Sequence, residues 1–94
     1  MSRPRSPEAA PLTPLAAELA KARANRRKSP DPEQRKASTQ VAIADALDVT
    51  QATVSGWERG EDLPRPERLE DVAKAYGISP RRLRSLWLRT AEAA

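Results

Sequence analysis

A chain of 94 residues, 38% apolar and with only three aromatic side chains, sustains one small hydrophobic core and argues against a second folded domain. The absence of Cys and His removes disulfides, thiolate and imidazole metal ligands and every catalytic pair built on either residue, so an enzyme is not expected; no metal, cofactor or small-molecule site is evident in the sequence. The net charge of +4 is unevenly spread: residues 1–36 carry nine Lys or Arg against four Asp or Glu, residues 37–71 three against eight, and residues 72–94 five against one.

Residues 1–12 begin M-S-R-P-R-S-P-E-A-A-P, with three prolines and no apolar periodicity, and read as a disordered arm. Arg3 and Arg5 fit a solvated tail best; as an alternating pair they also suit the narrow minor groove of an A·T tract. The arm is not a secretory signal, because its arginines precede prolines and charges instead of an apolar run, and no stretch is apolar enough to span a membrane. A cytoplasmic, nucleoid-associated protein is the expectation.

The folded domain is expected over residues 13–92. Thr13-Pro14 combines an N-cap with proline at the first helical position, and Leu15, Ala16, Leu19, Ala22 and Arg23 share one face of a helix over about 14–27. The basic cluster Arg26-Arg27-Lys28 in its last turn suits the helix dipole and suits a phosphate equally well. The two prolines of Ser29–Ala37 interrupt the pattern, giving a loop that ends in a short helical lead-in.

The stretch Thr39–Gly60, T-Q-V-A-I-A-D-A-L-D-V-T-Q-A-T-V-S-G-W-E-R-G, holds two short amphipathic patterns around a break at Asp48-Val49-Thr50, the layout of a helix-turn-helix. Val41, Ile43, Ala44 and Leu47 form the apolar face of the first, over about 39–47. The second, over about 50–59, is capped by Thr50, directs Val54 and Trp57 inward, and carries Gln51, Ala52, Ser55 and Arg59 on its other face. Small and amide side chains there let a backbone approach base edges, and a Gln pairs bidentately with adenine.

Gly60 is placed to end this helix in the left-handed conformation. Pro66 opens a helix whose Leu69, Val72, Ala73 and Tyr76 fall at i, i+3, i+4 and i+7, Gly77 stops it, and Ile78 turns back into the core. Ser79-Pro80 starts the last helix, over about 80–91, with Leu83, Leu86, Trp87 and Thr90 as one stripe and Leu88 off it. No strand alternation occurs, so the fold class is all-α.

These five helices, with Thr39-Gln40, Ile43-Ala44, Leu47, Val49-Thr50, Thr53-Val54-Ser55, Trp57-Glu58-Arg59-Gly60, Pro64 and Leu69 in this spacing, resemble the Cro and phage-repressor helix-turn-helix family, also called the XRE family. The resemblance covers about residues 12–90 and implies a compact five-helix lambda-repressor-like DNA-binding domain. It implies base contacts from Gln51, Ala52 and Ser55, and backbone or minor-groove contacts from Gln40, Thr53, Arg59 and Arg65. Glu58 matches an acid that pairs with an arginine of the first helix, which is Arg23 here.

Three departures from the family pattern stand out. Asp48 occupies a turn position usually held by Gly, which requires a left-handed residue. Gly56 interrupts the recognition helix, and the Pro-rich segment before the second helix is longer than usual, with Arg35 and Lys36 available for phosphate contact.

The expected function is a sequence-specific transcriptional regulator of the phage or bacterial repressor kind, binding double-stranded DNA as a homodimer, since one such domain reads few base pairs. The C-terminal helix is the expected interface through Trp87 and Leu88, although Trp87 serves equally to close the monomer core. The alternative is an antitoxin or other protein-interaction module of the same fold, using the acidic middle of the chain.

Overall fold

The computed structural model describes residues 13–93, and among them every regular element is helical: α1 (Pro14–Arg27), α2 (Pro32–Lys36), α3 (Gln40–Leu47), α4 (Gln51–Arg59), a 3-10 turn (Pro66–Arg68), α5 (Leu69–Tyr76) and α6 (Pro80–Ala93). The proposed arm, with Arg3 and Arg5, lies outside the described residues. No described helix is long and apolar enough to cross a membrane.

Local chemistry explains the helix boundaries. Thr13, Thr39 and Thr50 each adopt extended backbone and accept an amide hydrogen of the first turn, from Ala16, Ala42 and Thr53 respectively, which satisfies donors that have no partner inside the helix. At the other ends Asp48 (φ 58°), Gly60 (φ 78°) and Gly77 (φ 73°) turn left-handed. The next residue then reaches back in the same way each time: Val49 N–H to Ala44 O, Glu61 N–H to Gly56 O and Ile78 N–H to Ala73 O, at 3.0, 3.0 and 2.9 Å. Asp tolerates this conformation better than most residues. At Gly60 a side chain would also press on Thr13 Cγ2 at 3.3 Å, which ties the end of α4 to the start of α1.

The core is assembled from one face of each long helix: Leu15 and Leu19 of α1, Ile43 and Leu47 of α3, Val54 and Trp57 of α4, Leu69, Val72 and Tyr76 of α5, and Leu83 and Leu86 of α6. Helix α1 lies across α4 and α6, and α5 closes against α3 and α6. Ile78 is buried at the α5–α6 turn. Thr90, also buried, places its hydroxyl 3.3 Å from the Leu15 amide, giving a partner to a second N-terminal donor of α1.

Four sequence expectations change. Residues 32–36 form a helical turn of their own, because Asp31 caps Glu33 N–H and Pro32 presets the first position. The helix opened by Pro66 starts as a 3-10 turn and becomes α-helical only at Leu69, and the last helix continues to Ala93. Val41 is not part of the apolar face of α3: it is 51% exposed, since two residues before Ile43 is about 200° around the helix from it.

Candidate nucleic-acid interface

The turn between α3 and α4 is only Asp48-Val49-Thr50, so the left-handed Asp48 and the Thr50 cap together fix the angle at which α4 leaves α3. Val54 and Trp57 bury one side of α4. The opposite side leaves Gln51 and Ala52 exposed, with Ser55 and Thr53 partly covered and Arg59 exposed at the C-terminal end. The Thr53 hydroxyl is 2.9 Å from that of Thr50.

Beneath this face lies a buried polar cluster centred on Glu58, which is 7% exposed. Arg23 Nε donates to both carboxylate oxygens at 3.1 and 3.0 Å and its Nη2 to Oε1 at 2.9 Å. The Tyr76 hydroxyl donates to Oε2 at 2.6 Å and Gln40 Nε2 to Oε1 at 3.1 Å. Burial opposes the charge on Glu58, yet the hydrogen bonds from Arg23, Tyr76 and Gln40 outweigh it and hold the carboxyl below the usual carboxylate range. Burial, and the hydrogen bond to Glu58, push the Tyr76 hydroxyl far up, so it stays a donor. Sequence reasoning missed Tyr76: it falls on the apolar stripe of α5, and no periodicity shows where a phenol oxygen ends.

Gln40 links this cluster to the surface, because its Oε1 accepts from Gln51 Nε2 at 3.4 Å. Gln51 and Gln40 also border a groove of about 650 Å³ whose other walls include Arg23, Arg27, Arg35 and Ser38. Arg27 and Arg35 make no ion pair among the described residues. Lys36 is exposed at the end of α2 but does not line the groove. On the far flank of α4, Thr53 and Arg65 border a second hollow with Val49, Leu63 and Arg68.

Arg59 is engaged at its own surface. Its Nε and Nη2 form a two-pronged pair with Glu61 at 3.0 and 2.9 Å, and Nη1 donates to Ser55 Oγ. The three side chains meet across the Gly60 turn, a pairing the spacing Arg59-Gly60-Glu61 permits. Both ends are more than half exposed, so exchanging Glu61 for another anion costs little. Gly56 is buried and faces away from Gln51: an added Cβ would lie 3.0 Å from Asp62 Oδ2. Trp87 donates its indole N–H to Pro64 O at 2.7 Å, so its polar edge holds the loop after α4, while Leu88 stays 49% exposed.

A helix-turn-helix family model matches residues 33–83, more than half of the chain. The chain belongs to the Cro/C1-type, or XRE, helix-turn-helix family. No curated protein and no solved structure matches it. Membership makes this a DNA-binding helix-turn-helix regulatory domain, in which α3 and α4 are the helix-turn-helix.

Proposed function

We propose that the protein is a sequence-specific transcriptional regulator that reads an operator in double-stranded DNA through α4, as a homodimer of the repressor or Cro-like kind. The observation that carries this reading is the exposed pair Gln51-Ala52 on a rigidly anchored helix, between a basic groove on one flank and Arg65 on the other. Gln51 reads a base edge, Ala52 lets the groove floor approach, and Ser55 adds a contact once Arg59 turns to a phosphate. Gln40 with the first amides of α3, Arg35 and Lys36 on one side, and Thr53 and Arg65 on the other, hold the backbone. Helix α2 offsets the acidic middle of the chain by adding cations next to the reading helix.

The test is a binding-site selection on the protein and on Gln51→Ala, which should abolish preference at one base position per half-site. An unchanged base profile would refute base reading by Gln51. For assembly, Leu88 on α6 is the apolar centre of the proposed interface, and Trp87 contributes only the part of its ring not held against Pro64. Leu88→Glu should shift a dimer to monomer in sedimentation equilibrium and weaken operator binding. The exposed carboxylates Glu61, Asp62, Glu67, Glu70 and Asp71 favour the second reading, a surface for a basic protein partner. DNA affinity that falls steeply with salt supports the regulator, whereas absence of duplex binding at low salt supports the protein-binding module.

A further inference from the structure

Arg59 is the only cation in the stretch Thr39–Gly60, and in the free domain its guanidinium is already engaged. Nε and Nη2 hold the two oxygens of Glu61 at 3.0 and 2.9 Å, while Nη1 reaches the Ser55 hydroxyl one turn back on α4. Two carboxylate oxygens offer a guanidinium fork the same target as two oxygens of a phosphodiester. The backbone of Glu61 is fixed beyond the left-handed Gly60, because its N–H closes on Gly56 O at 3.0 Å. Its side chain is more than half exposed and has no other ion pair among the described residues. The carboxylate can therefore leave Arg59 and return to the same place. Asp62, next in the chain, lies over Gly56 instead, with Oδ2 3.0 Å from an added Cβ, and makes no ion pair with Arg59.

Resting on the proposed reading in which α4 meets the bases and Arg59 a phosphate, we propose that Glu61 is a built-in stand-in for a DNA phosphate, which keeps Arg59 folded over Ser55 until the duplex backbone displaces it. Glu61 is then a positioning residue that opposes binding in the free domain. One exchange releases two groups: the guanidinium passes to a phosphate, and the Ser55 hydroxyl is uncovered toward the base edges. An exposed ion pair of this kind is weak, so the exchange is close to balanced. A lone anion in solution competes poorly with a carboxylate tethered two residues away. A phosphate carried in by α4 seated in the groove arrives at a comparable effective concentration and displaces it. The contact in this way separates a docked duplex from free anions.

The test is a double-mutant cycle on DNA affinity. Dissociation constants are measured at one fixed salt concentration, on a duplex recovered by binding-site selection, for the parent, Glu61→Gln, Arg59→Ala and the double variant. Asp62→Asn, alone and with Arg59→Ala, shows what the loss of any negative charge at this place does. Thermal melts check that each variant is folded. Arg59→Ala should weaken binding. Glu61→Gln should tighten it by about two- to fivefold more than Asp62→Asn does, the range of an exposed ion pair, and this excess should vanish when Arg59 is Ala. In nuclear magnetic resonance spectra the Arg59 Nε–H signal should move on Glu61→Gln in the free protein and stay in place in the DNA complex.

A gain from Glu61→Gln no larger than that from Asp62→Asn overturns the proposal. So does an excess that persists without Arg59, since Glu61 then acts only as a repelling charge. An Arg59 signal that Glu61→Gln shifts equally in the free protein and in the complex marks a pair that DNA does not break, with the same consequence. If Arg59→Ala leaves affinity unchanged, Arg59 holds no phosphate and the stand-in has nothing to replace, while base reading by Gln51 is still judged by its own selection experiment. A parent that binds no duplex at low salt removes the DNA reading itself, a result seen before any variant is made.

Discussion

Arg23→Met removes the cation from the buried cluster while keeping most of the side-chain volume. Glu58 would then sit at 7% exposure with Tyr76 and Gln40 as its remaining donors, and Ser38 O would lose the Arg23 Nη1 contact at 3.4 Å. Breaking a buried pair by removing one partner costs about 3–5 kcal/mol. The Arg23 side chain retains 21% exposure, which places the expected loss near the low end, about 3 kcal/mol, or roughly 12–24 °C in Tm for a domain of this size. Urea unfolding followed by the fluorescence of Trp57 and Trp87 measures it.

The pH dependence adds a sign. In the parent the folded pKa of Glu58 is depressed, so its contribution is complete above the unfolded value of about 4.3 and is lost as pH falls through the folded value. In Arg23→Met burial is no longer outweighed by a cation, the folded pKa rises above the unfolded value, and the stability deficit should shrink on acidification from pH 7 toward 5. Adding Glu58→Gln to Arg23→Met should recover more than about 1 kcal/mol at pH 7, because the stranded charge is gone. A loss below about 1 kcal/mol, with no narrowing of the deficit toward pH 5, would show that the pair does not stabilise the fold in this way.

Other substitutions probe separate features. Leu19→Ala, at a fully buried site between α1 and the rest of the core, should cost about 2–5 kcal/mol in the same denaturation assay. Gly56→Ala should stabilise by about 0.5–1 kcal/mol in thermal melts: only the end of the exposed Asp62 side chain must move aside, and a loss of stability would mean that this contact is rigid. Trp87→Phe leaves Pro64 O without its donor and should cost about 1–3 kcal/mol by urea titration. Asp48→Val, at φ 58°, should cost about 1–2 kcal/mol, whereas Asp48→Gly should be neutral or mildly stabilising.

What the sequence determines by itself is local: where helices start and stop, and which face of most of them is apolar. Thr13-Pro14, Thr39, Thr50, Gly60 and Gly77 act through backbone conformation and contacts within a few residues, so they are readable in order along the chain. The helix-turn-helix and its surface residues Gln51 and Ala52 follow from that local grammar. Short elements are less legible. Pro32–Lys36 is one turn, with no buried residue to give it a period, and Val41 misleads because a β-branched apolar residue can sit at the surface of an eight-residue helix. Tertiary structure alone decides how long side chains end. Tyr76 reaches Glu58 across 18 positions, Trp87 reaches Pro64 across 23, and Arg27 and Arg35 converge on one groove from two helices. Such meetings depend on helix crossing and rotamer, which no spacing encodes. The direction of the hydrogen bonds from Glu58 to Gln51 exists only once α1, α3, α4 and α5 are packed together.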